Sequence, residues 1–134
     1  MTDEGRRDPL VGVALERSGA SIFEEWHEDS FEVPEGGVLL TTRPSGAKNQ
    51  AFRMGATTYA FQYHIEVGET LAQEWHDGWS KMHSLPEREQ QALAEVLASQ
   101  ITSGDIKRGE VFVEHFIKQW VALAPGGGSR GARL

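Results

Sequence analysis

Residues 38–67 read VLLTTRPSGAKNQAFRMGATTYAFQYHIEV. Three runs in this segment favour extended backbone: VLLTTR (38–43), NQAFRM (49–54) and TYAFQYHIEV (58–67). PSGAK and GAT separate them. Breaks of this length that contain glycine join antiparallel neighbours, so the pattern predicts two consecutive hairpins. The third run ends with His64 and Glu66, two positions apart. On a continuing strand both side chains would point to the same side. If the chain turns at Ile65 instead, the carboxylate can swing to one ring nitrogen.

After Gly68 the apolar period changes from strand-like to helical. Leu71, Trp75, Trp79 and Met82 mark a first helix. Ser84-Leu-Pro-Glu87 has the form of a capping box, with Pro86 just inside a second helix striped by Leu93, Val96, Leu97 and Ile101. Phe112, Val113, Phe116, Ile117 and Trp120 stripe a third, ending near Ala124. Upstream of the hairpins, residues 1–20 are expected to form a loop-rich segment with one short turn. SIFEEWHEDSFEV (21–33) reads as extended, and Pro34, Gly36 and Gly37 as a turn. The organisation predicted is an N-terminal loop-rich segment (1–20), one α/β unit (21–124) and a disordered tail (125–134). Within the unit, antiparallel strands precede about three C-terminal helices. No alternation of strand and helix announces a parallel sheet, and the helices supply only part of a covering layer.

Composition narrows the functional classes. The 134 residues suit one domain and carry a formal net charge of −7. No basic cluster is present to track phosphates, which argues against nucleic-acid binding. No apolar run approaches the ~20 residues of a membrane span. The N-terminus lacks the apolar core of a signal peptide, so a cytoplasmic protein is expected. The count of cysteines is zero, which excludes disulfides, cysteine-ligated zinc and thiolate nucleophiles within the chain.

A carboxylate on one imidazole nitrogen fixes the tautomer and stabilises the imidazolium, leaving the other nitrogen to accept a proton from a nucleophile. That is the functional reading of His64 and Glu66. From the pair alone, a half-buried histidine beside a solvated glutamate is the better reading, because short His-x-Glu patterns are common by chance. His76 and His83, seven apart, share a face of the first helix and are read as exposed. Their spacing does not suit a zinc site, and no metal or cofactor is expected. Trp75 and Trp79 read as packing residues.

The wider context changes the weighting. WHEDSFEVPEGGVLLTTRPSGAKNQAFRMGATTYAFQYHIEV (26–67) resembles the C-terminal half of class I glutamine amidotransferase domains, most of all the stand-alone group related to the glutaminase part of GMP synthase. The matching residues are Trp26, His27, Asp29, Pro34, Gly36, Asn49, Gln50, Ala51, Phe52, Gln62, His64 and Glu66. The resemblance is specific over about residues 23–75. It implies a partial α/β amidotransferase fold whose parent has a central, mostly parallel sheet. In that family a Cys-His-Glu triad hydrolyses glutamine to glutamate and ammonia, through a cysteine made nucleophilic by an oriented base. The resemblance implies that His64 is the base and Glu66 its orienting carboxylate. It further implies that Trp26, His27, Glu28 and Asp29 form the loop contacting the amino-acid end of glutamine. A plain alternative for that loop is an aromatic anchor beside a polar turn.

Departures from the pattern accompany the matches. Ile65 stands where proline is usual, and Glu28 at a position that is often glycine. The family's cysteine and oxyanion hole belong to an upstream half with no counterpart here. The resemblance therefore implies an amidotransferase-like chain that is inactive alone. Two alternatives stay open: a non-enzymatic pseudo-amidotransferase interaction module, and one half of a split enzyme whose N-terminal half lies on another chain.

Overall fold

The computed structural model describes residues 1–19, 29–44 and 46–125. Among these, the elements are α1 (Asp3–Arg7), α2 (Val11–Ser18), β1 (Gly37–Thr42), β2 (Asn49–Met54), β3 (Thr58–Phe61), α3 (Glu69–Met82), α4 (Glu87–Ser103) and α5 (Asp105–Ala122). The class is mixed α/β. The strands form an antiparallel sheet in the order β1-β2-β3, so the two hairpins are present, and three helices follow them. The expected tail lies, apart from Pro125, outside the described residues, as does most of the segment 21–33.

Residues 1–19 correct the sequence reading. They hold two helices where a loop was expected. Thr2 caps α1, its Oγ1 accepting from the Gly5 N–H at 2.9 Å, while Asp3 and Glu4 sit in the first turn and Arg6 and Arg7 in the last, matching the helix dipole. Asp8 accepts from the N–H groups of Leu10 and Val11, each at 3.0 Å, and so satisfies donors at the start of α2. The Thr2 N–H and hydroxyl also donate to the Leu40 carbonyl, which ties the N-terminus to the edge of β1. Gly5 makes this approach feasible: a Cβ there would lie 2.0 Å from the Leu40 carbonyl oxygen.

Pairing within the sheet is offset twice. Leu39 opposes Phe52, Thr41 opposes Ala51 and Thr42 opposes Asn49, so Leu40 and Gln50 are left out of the register. Both are buried. One face of the sheet meets α2 and α5: Leu40, Ala51 and Tyr63 form a core with Leu10, Val11, Ala14, Phe112 and Phe116. Tyr59 and Phe61 complete it, each packing edge-on against Phe116 with centroids 5.2 Å apart. The opposite face carries Leu39, Phe52 and Ala60, which are cross-strand partners and only half-buried. The Phe31 ring packs there, 5.2 Å from Phe52, and Asn49 Nδ2 donates to the Phe31 carbonyl.

A second core of Val67, Ala72, Leu97 and Ile106 joins α3, α4 and α5, with Leu71, Trp75 and Ile101 packed around it. In α3 the buried positions are Ala72 and His76, whereas Met82 is 70% exposed. His76 is therefore not on an exposed face as expected. The face it shares with His83 is covered at the first turns of α3 and open at the last. The capping box is not formed either. Ser84 takes a left-handed conformation, φ 48°, where α3 ends, and Pro86 itself occupies the cap position of α4 without a side-chain hydrogen bond. In α4, Leu97 is buried but Val96 is exposed. Gly104, φ 76°, ends α4 and starts α5, a reversal in the left-handed region where glycine carries no side-chain penalty.

Candidate active site

β3 is shorter than its sequence run, and this is what shapes the site. Its ladder with β2 closes with the Gln62 N–H donating to the Gln50 carbonyl at 2.8 Å. β2 begins at Asn49, and the next carbonyl upstream, that of Lys48, accepts from the Arg43 N–H instead. β3 ends at Phe61, opposite Ala51, and the chain turns at Ile65 and Glu66. The neighbours of the candidate pair are fixed by packing. Tyr63 is buried in the first core and Ile65 packs against it, while Val67 is buried in the second. His64 and Glu66 are left between these anchors.

The turn allows the carboxylate to reach the ring. His64 Nδ1 lies 2.8 Å from Glu66 Oε1. With the proton on Nδ1 the ring donates to the carboxylate, and Nε2 keeps its lone pair. A base of this kind can accept a proton from a hydroxyl or thiol brought within hydrogen-bond reach. The His64 side chain is 29% exposed and that of Glu66 58%. At such exposure, water screens the attraction between carboxylate and imidazolium, and a covering surface would strengthen it.

The indole of Trp75 is a third member of the arrangement, and sequence reading assigned it to packing alone. Its ring centroid is 4.8 Å from that of His64, with the planes at 86°. The two are eleven positions apart across a strand end and a helix start, so no local spacing rule could have joined them. The next turn of α3 repeats the pairing of indole and imidazole: Trp79 packs against His83 at 3.9 Å.

Of the four residues expected to contact glutamine, Trp26, His27 and Glu28 lie outside the described residues. Asp29 is exposed, two positions before the Phe31 carbonyl held by Asn49. Among the described residues, no three histidine, aspartate or glutamate side chains converge as a metal site would require. No helix among them is long and apolar enough to cross a membrane. No protein-family model matches this chain, and no curated protein matches it.

Proposed function

We propose that this chain supplies the histidine–glutamate half of a glutaminase site of the class I amidotransferase type. In this reading His64 is the general base, Glu66 orients it, and the region around Asp29 faces the amino-acid end of glutamine. The observation that carries it is the 2.8 Å contact between His64 Nδ1 and Glu66 Oε1. It gives an imidazole oriented by a carboxylate, the form that activates a nucleophile in a site of this type. The 134 residues contain no cysteine, so the attacking thiol would come from outside them. In the assembled site the imidazole would take the thiol proton as sulfur attacks the glutamine carboxamide carbon. It would then give that proton to the departing ammonia, and water would release glutamate from the thioester.

A second reading, a non-enzymatic interaction module, is favoured by the missing thiol. One experiment separates the two. The chain is co-expressed with a cysteine-bearing N-terminal half of a class I amidotransferase domain, and the purified complex is assayed for glutamate formation. Activity that disappears in His64→Ala supports the catalytic reading. A soluble complex without glutaminase activity, or one equally active with His64→Ala, overturns it.

A further inference from the structure

The two offsets in the register of β1 and β2 fall side by side, and together they set which way four side chains point. Phe52 and Asn49 both reach the face covered by Phe31: the Phe52 ring packs on that of Phe31, and Asn49 Nδ2 donates to the Phe31 carbonyl. Strict alternation would put residues three apart on opposite faces. The extra residue in β2 instead leaves both Gln50 and Ala51 turned to the other face, where Ala51 is wholly buried in the first core. β1 does the same. Leu39 opposes Phe52 and Thr42 opposes Asn49, so Leu40 and Thr41 lie between them, with Leu40 in the core and Thr41 opposite Ala51.

Two polar side chains are thereby placed beside one another in an apolar core. Thr41 is 9% exposed and Gln50 2%. Thr41 Oγ1 and Gln50 Oε1 are buried oxygens with no hydrogen-bond partner among the described residues. Turning the Gln50 amide over does not cure this. Its Nε2 donates to the Ala47 carbonyl, which can only accept, so the nitrogen belongs on that side and Oε1 on the other. Whatever meets Oε1 must therefore donate. The Thr41 hydroxyl can donate or accept. Buried polar atoms are rarely left unpaired, and internal water commonly completes them.

We infer that an internal water molecule binds between the paired bulges, donating to Gln50 Oε1 and sharing a second hydrogen bond with Thr41 Oγ1. The two oxygens select this ligand. Both are neutral, and a hard cation takes roughly six or more oxygen ligands. An anion has no proton to give to Oε1. An apolar guest would leave both oxygens unpaired. Water is small, and it donates and accepts at once. The site lies at the end of the ladder that leads to His64, since the Gln50 carbonyl takes the Gln62 N–H. A water there would hold the two bulges together from the core side. The inference does not depend on the role proposed for His64.

The test is a crystal structure of the full 134-residue chain. The expected result is an ordered water within hydrogen-bond distance of both Thr41 Oγ1 and Gln50 Oε1. A direct bond between the two side chains, or no ordered solvent between them, would overturn the inference. Oxygen-17 relaxation dispersion of the solvent gives a second reading, because it counts long-lived internal waters and is blind to the exchange of hydroxyl protons. A variant carrying both Thr41→Val and Gln50→Met nearly keeps the two shapes and removes both oxygens. It should lose the equivalent of one water from the wild-type count. An unchanged count would overturn the site. Should that variant fail to fold, the wild-type crystal structure decides.

Discussion

Asp8 and Arg53, 45 positions apart, form an ion pair of 2.9 Å in which the carboxylate side chain is wholly buried. The same carboxylate accepts from the Tyr59 hydroxyl at 3.1 Å and from the N–H groups that begin α2. One buried charge therefore joins α1, α2, β2 and β3. Removing the guanidinium leaves that charge without its counter-ion, which typically costs about 3–5 kcal/mol. Arg53→Leu should lower the denaturant midpoint steeply. Asp8→Asn should cost less, since it removes the buried charge while keeping an acceptor. Equal losses for the two would show that the charge itself is unimportant.

Tyr59 gives this cluster a pH dependence. Burial, and then the Asp8 carboxylate, push its phenol from 10.0 up to about 12. The folded state thus holds the phenol proton more tightly than the unfolded chain does. The stability this contributes is complete below about pH 10 and declines as the pH rises toward about 12. Chemical denaturation across that range should show a fall in stability that is absent in Tyr59→Phe. A parallel fall in both proteins would place its origin elsewhere.

Two glycines should respond in opposite directions to alanine. At Gly5 the new methyl would meet the Leu40 carbonyl oxygen, which is backbone and cannot rotate away. Separating α1 from β1 should cost about 1–3 kcal/mol, the usual range for overpacking. Gly78 lies in the exposed interior of α3, where a Cβ meets nothing within 4 Å. Gly78→Ala should stabilise by about 0.5–1 kcal/mol through helix propensity. Thermal melts of the two variants check both signs at once.

These contacts show which parts of the fold were legible in the sequence. β1 and β2 were readable within a residue, because turn residues bound them. The three C-terminal helices were readable from their stripes. The N-terminal helices were not, since their signals depend on distant partners: Asp8 reads as a loop residue until Arg53 and Tyr59 are brought to it. The end of β3 was missed because TYAFQYHIEV stays strand-like in composition past Phe61, where the strand stops. His64 and Glu66 were legible as a pair, and the turn at Ile65 was one of two geometries the spacing allowed. Trp75 was seen only as packing, because its approach to His64 is a product of tertiary structure.

His76 and His83 should separate by mechanism. His76 is 6% exposed and sits beside Ala72 on the buried side of α3, so His76→Ala should destabilise the fold by opening a cavity. His83 is exposed at the end of α3, against Trp79, and His83→Ala should be nearly silent in a melt. If His76→Ala melts like the parent, the packing of α3 described above is incorrect.

The isolated chain should release no ammonia from glutamine. On the proposed reading His64 accepts a proton, but these 134 residues offer it no thiol. Loss of one member of a catalytic triad removes several orders of magnitude of rate even when the others stay in place. The Glu66 side chain is also 58% exposed, so water screens its carboxylate. Incubation of the purified chain with glutamine, followed by an enzymatic assay for glutamate, should therefore match the protein-free blank. His64→Ala should give the same trace. A signal above the blank that persists in His64→Ala would indicate a contaminating glutaminase. Turnover that His64→Ala abolishes would mean that a hydroxyl of this chain takes the place of the thiol, and that the site is complete within these residues.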